Sequence, residues 1–78
     1  MKTEQILRNI FSSNLGLESD DIKLSSTQNE MGIDSVSKLC IIVDIENAFG
    51  ISISNEQFDA LREFEDYINI VKHKTNEE

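Results

Sequence analysis

A single cysteine in a chain of 78 residues narrows the possible folds more than any other feature. A domain this short has a limited core and commonly leans on disulfides or a structural metal. Cys40 has no partner for an internal disulfide, and one cysteine with one histidine falls short of a Cys/His zinc site. The chain must hold together by packing a few elements well. A hydrophobic fraction of 38%, spread along the chain, supports a folded domain over a disordered one. Residues 1–78 read as one domain, with about 75–78 as a frayed tail.

The apolar spacing is helical. Ile6, Leu7, Ile10, Phe11 and Leu15 form one stripe, with Glu4, Arg8 and Asn9 outward, Thr3 as a cap and Gly16 as the stop. Ser35 to Phe49 predicts a second helix, opened by Asp34 as N-cap and closed by Gly50. Its run from Leu39 to Val43 also suits a buried strand, but the 15-residue length and two clean ends favour helix. This helix is apolar on most faces, so it is either central or keeps one face for a partner. Ser54 and Gln57 form a capping box before a one- or two-turn helix carrying Phe58 and Leu61. A last helix runs from about Glu63 to His73, with Phe64, Tyr67, Ile68 and Val71 inward. Acidic residues sit at its start and Lys72, His73 and Lys74 at its end, matching its dipole.

The 18 residues from Leu17 to Asp34 show no period. That is long for a connection in a compact domain. Leu17, Ile22, Leu24 and Met31 recur within it as anchors, so it reads as an ordered loop with a purpose. The expected fold class is all-α: a small four-helix bundle of three longer helices and one short helix, with a long first loop.

Charge limits the partners. Fifteen acidic residues against seven basic ones leave −8, and the pI is near 4.4. No nucleic acid is expected, since a phosphate backbone needs a basic footprint. Partners with basic surfaces suit such a field, although acidity also serves plain solubility. No segment reaches the roughly 20 apolar residues of a membrane span, and Met1 to Asn14 lacks the apolar core of a signal peptide. With one thiol and no export signal, the expected location is cytoplasmic and the expected state a monomer.

Catalytic chemistry finds little support. Ser35, His73 and the carboxylates are compatible with a triad in residue type only, because a chain this size offers little concavity around a nucleophile. His73 reads as a solvated surface residue. The stretch Asp44-Ile45-Glu46-Asn47-Ala48-Phe49 places Phe49 where a calcium loop needs glycine. No resident metal is expected. Cys40, on a mostly apolar helix, reads first as buried and inert.

What remains is the junction Met31-Gly32-Ile33-Asp34-Ser35-Val36. On its own, Asp-Ser before an apolar helix is also a plain N-cap pattern. The string resembles the modification motif of acyl carrier and peptidyl carrier proteins, Leu-Gly-x-Asp-Ser-Leu. Downstream, Ile45-Glu46-Asn47-Ala48-Phe49-Gly50-Ile51-Ser52-Ile53 is similar to that family's Leu-Glu-x-x-Phe-Gly-x-x-Ile stretch, at the usual distance. With helix order and spacing included, the resemblance extends over essentially the whole chain.

The resemblance implies a non-enzymatic carrier with 4′-phosphopantetheine covalently attached at Ser35 by a phosphopantetheinyl transferase. Its arm then bears acyl or aminoacyl intermediates as thioesters for loading and processing enzymes. Asp34 is implied in capping and transferase recognition. Partner recognition would fall on Val36, Ser37, Lys38, Cys40, Asp44 and Glu46, with Glu56 and Asp59 on the short helix. Carriers of fatty acid biosynthesis often bear acids two and five positions after the serine; here Ser37 and Cys40 stand there. That departure points to a specialised polyketide, nonribosomal peptide or lipid pathway. Some family members shelter the acyl chain between helices, and Ile42, Val43, Ile45 and Phe49, with Phe58, Leu61, Tyr67 and Ile68, are candidate lining or simply core. The competing reading is an unmodified acidic helical adaptor that binds a basic partner through its second helix.

Overall fold

The computed structural model describes residues 3–75. Five α-helices appear: α1 Thr3–Leu15, α2 Gln28–Met31, α3 Ser35–Phe49, α4 Asn55–Ala60 and α5 Phe64–Thr75. A single 3₁₀ turn, Ser19–Asp21, lies between α1 and α2. The helical class and the three long helices are as expected from the pattern. Residues 76–78 of the expected tail lie outside the described residues, and Thr75 ends α5.

The core forms where α1 packs on α3 and α5. Leu7 and Phe11 from α1, Ile41 and Ile45 from α3, and Phe64, Tyr67 and Val71 from α5 are fully buried. Burying each such side chain contributes about 1.5–3 kcal/mol. The Phe11 ring meets Phe64 and Tyr67 edge-on, each at 4.9 Å between centroids. Two aromatic contacts on one ring fix the register of α1 against α5 beyond what area burial alone would do.

The stretch between α1 and α3 is ordered, as expected, but it is more than a loop. It contains the 3₁₀ turn and α2, which starts on a capping box: the Thr27 hydroxyl accepts from the Glu30 amide, and the Glu30 carboxylate accepts from the Thr27 amide. That hydrogen bonding holds the Glu30 carboxyl below its ordinary range. Four residues are too few to show a helical period, so the Thr27-x-x-Glu30 pair was the readable sign. Ile22 and Met31 anchor the segment in the core, but Leu24 is 43% exposed. Backbone bonds do the remaining work. The Phe64 amide donates to Ser26 O, Glu65 to Leu24 O, and Gln28 to Arg62 O. The segment is thereby stitched to the start of α5.

Two further expectations on α1 are revised. Arg8 does not face solvent: its guanidinium donates to the carbonyls of Ser19 and Ile22, pairs with Glu4 at 2.8 Å and stacks over Phe64. Amphipathic spacing puts Arg8 on the polar side, but its long stem reaches around to the 3₁₀ turn. Thr3, expected as a cap, is a buried residue within α1.

Candidate functional site

α3 begins abruptly because Asp34 is extended (φ −103°, ψ −177°) and its carboxylate accepts from the Ser37 amide at 2.7 Å. The hydrogen bond from Ser37 is the main reason the Asp34 carboxyl sits below its ordinary range. Gly32, at φ +72°, ends α2 in the left-handed region and turns the chain in the two residues before Asp34. Ser35 is consequently the first helical residue and is exposed. It occupies a corner between two helices.

Beside this corner lies a cleft of about 380 Å³, lined by Gln28, Ile33, Asp34, Ser35, Lys38 and Phe58. Each wall comes from a different element. Gln28 belongs to α2 and is held from across the bundle by the Tyr67 hydroxyl, which donates to its side-chain oxygen at 3.2 Å. Phe58 belongs to α4, whose start carries the expected capping box between Ser54 and Gln57. Lys38 lies one turn beyond Ser35 on α3 and also lines the cleft.

The candidate recognition residues separate into groups. Val36, Leu39 and Val43 are 71%, 58% and 45% exposed, three apolar residues at i, i+3 and i+7 that form a stripe along α3. Leu39 was not among the sequence candidates, although its spacing placed it there. Asp44, Glu56 and Asp59 are exposed, and Ser37 is half-buried. Asp44 accepts from the Asn14 side-chain amide at 2.9 Å. Glu46 is half-buried, and its carboxylate accepts from the Ile53 amide at 2.9 Å, holding the segment after Gly50. Cys40 is exposed, which corrects the expectation of a buried thiol. The helix turns it away from the buried Ile41 and Ile42 beside it. Lys38 is placed apart from this surface, buried at 9% exposure.

The candidate acyl-chain residues are also divided. Phe58 lines the cleft. Ile42, Ile45, Leu61, Tyr67 and Ile68 are buried core, and Phe49 packs against that core half-buried. Val43 faces outward with the stripe. Ile33 and Gln28 line the cleft and were missed by sequence reasoning, since no period marks their segment.

The corner is suited to a phosphate ester. Ser35 is exposed, it opens a 15-residue helix whose positive end favours an anion, and the adjoining cleft has both polar and apolar walls. The adjoining carboxylate, Asp34, is engaged with the Ser37 amide. These residues fit a phosphopantetheine group.

Comparison with known proteins agrees. The family model described as "Phosphopantetheine attachment site" matches residues 5–71. The chain is 34% identical over 77 residues to an acyl carrier protein homolog of Mycoplasma genitalium, covering 94% of this chain and 92% of that protein. It is 31% identical over 78 residues to an acyl carrier protein of Prochlorococcus marinus, covering 95% and 98%. The crystal structure of an acyl carrier protein from Thermotoga maritima superposes with a TM-score of 0.79 at 27% identity, covering 91% of this chain and 84% of that one. The chain belongs to the acyl carrier protein family, and its prosthetic group is a covalently attached 4′-phosphopantetheine.

Proposed function

We propose that Ser35 is the attachment residue and that the loaded arm carries acyl or aminoacyl groups as thioesters. The observation that carries this reading is the exposed Ser35 at the capped first turn of α3, opening onto the cleft. In the loading step the Ser35 oxygen forms a bond to phosphorus while the pyrophosphate bond of coenzyme A breaks. Adenosine bisphosphate leaves, and the hydroxyl proton passes to a base of the transferase. Asp34 stays available at the corner for the transferase, since its capping bond uses only one carboxylate oxygen. When attached, the group supplies a terminal thiol on a flexible arm. The chain itself holds the arm's base at a helix end and presents a recognition surface.

That surface takes in the exposed stripe Val36, Leu39 and Val43 and the exposed acidic residues Asp44, Glu56 and Asp59. It suits loading and processing enzymes whose basic patches surround an apolar depression. Ser37 and Cys40 leave the start of α3 uncharged where acidic residues are frequent in fatty acid carriers. This supports service in a specialised polyketide, nonribosomal peptide or lipid pathway, in a compartment that keeps the exposed Cys40 thiol reduced, such as the cytoplasm.

Incubation with coenzyme A and a broad-specificity phosphopantetheinyl transferase, followed by intact mass, tests the attachment. The expected result is a gain of one phosphopantetheine that disappears in Ser35→Ala. Absence of a gain with an active transferase would instead support an unmodified adaptor.

A further inference from the structure

The cleft beside Ser35 ends on a lysine. Lys38 leaves α3 one turn after Ser35, on the same side of the helix. Its side chain is 9% exposed, its Nζ donates to the Leu61 carbonyl at 3.1 Å, and Nζ sits 4.5 Å from the centre of the Phe58 ring. Lys38 thus spans from α3 to the end of α4 and lines the cleft on the side of the buried Leu61. Leu61, which it contacts, is 3% exposed and belongs to the same core as Ile42 and Ile68, 4% and 5% exposed, and the fully buried Ile41, Ile45 and Tyr67.

An ammonium is an expensive group to bury, and this one is held by a single carbonyl and an aromatic face. Burial pushes its pKa down, opposed in part by Asp59 and reinforced by Arg62. A group tethered at Ser35 meets this wall first. An alkyl chain passing inward has to displace Nζ from Leu61 O, which leaves a buried carbonyl without its donor. It also has to lay methylenes against a polar head that is already poorly solvated. Both effects oppose its passage.

We infer that Lys38 bars the helical interior to a tethered alkyl chain, so that this carrier's cargo is a short or polar acyl group that stays in the surface cleft. The inference rests on Ser35 being the attachment point. It makes Lys38 a specificity-determining residue.

The test compares thioester accessibility. Wild type, Lys38→Ala and Lys38→Met are loaded with acetyl or hexadecanoyl phosphopantetheine, loading is verified by intact mass, and cleavage by hydroxylamine is timed. Wild type should lose both acyl groups at the same rate. In the variants the hexadecanoyl thioester should be cleaved several-fold more slowly than the acetyl one. Slower cleavage of hexadecanoyl in wild type, or equal rates in both folded variants, overturns the inference. Lys38→Met keeps most of the buried stem and serves if Lys38→Ala does not fold. Failure of all proteins to gain mass strikes at Ser35 itself, and Lys38 is then judged without the arm. Nile red should be excluded by wild type and taken up by the folded variants, and equal uptake by both overturns the barrier.

Discussion

At Asp34 two tasks fall on one carboxylate. One oxygen accepts from the Ser37 amide and starts α3, while the side chain remains exposed next to Ser35. Asp34→Asn retains an acceptor for the cap and removes the charge, so helicity by circular dichroism should be unchanged while the rate of transferase loading falls. An unchanged loading rate would confine Asp34 to capping. The pH dependence has a definite sign. A carboxyl whose folded pKa is depressed contributes stability above its unfolded pKa and loses it as pH falls through the folded value. Asp34 and Glu30 both act in this direction, each through a helix cap.

Among the elements, α4 and the 3₁₀ turn depend most on side-chain bonds. α4 has six residues, fewer than an isolated helix needs, so its capping box carries much of its stability. Ser54→Ala should lower unfolding stability by about 1 kcal/mol, read from the urea midpoint at unchanged m-value. Because Phe58 rides on α4, the same variant should loosen one wall of the cleft. Arg8 holds the 3₁₀ turn by donating to the Ser19 and Ile22 carbonyls. Arg8→Met keeps the packing stem but removes the guanidinium from both carbonyls, leaving Ser19 O only the Ile22 amide and Ile22 O without its side-chain donor, an expected cost of about 1–3 kcal/mol. Amide exchange should quicken over residues 19–24. Arg8→Lys should recover only part of the loss, because an ammonium cannot reproduce the guanidinium fork.

For the whole molecule, the buried Tyr67 of the aromatic cluster adds an alkaline pH dependence. Burial, with a smaller contribution from the Asp66 charge, pushes the Tyr67 hydroxyl up from 10.0 to about 12. Between those values the folded chain keeps a proton that the unfolded chain has lost, so stability falls as pH rises. A shift of that size corresponds to roughly 3 kcal/mol lost across the interval. Urea unfolding at stepped pH should show this slope in wild type and a flatter one in Tyr67→Phe. The net charge of −8 acts at the same scale. Transferase association should slow markedly as salt rises through physiological strength, where the screening length is about 8 Å.

How far the sequence reached depended on whether the signal was local. Helical class, the inner faces of α1 and α5, the Asp34 and Ser54 caps, and the stops at Gly16 and Gly50 are decided by neighbouring residues, so they were legible in the chain alone. The Asp34-Ser35 junction was legible as a helix cap from local features, whereas its reading as an attachment point came from the resemblance of the stretches 31–36 and 45–53 to the carrier family's motifs. Tertiary contact decided the rest. Whether Arg8 and Lys38 turn inward depends on carbonyls that lie 11 to 23 residues away, at Ser19, Ile22 and Leu61. Which apolar residues of α3 stay exposed depends on how α1 and α5 cover it, and spacing could not settle that for a helix apolar on most faces. The cleft exists only because α2, α3 and α4 converge at Ser35. Its walls come from residues 28 to 58, so no single stretch of sequence could display it.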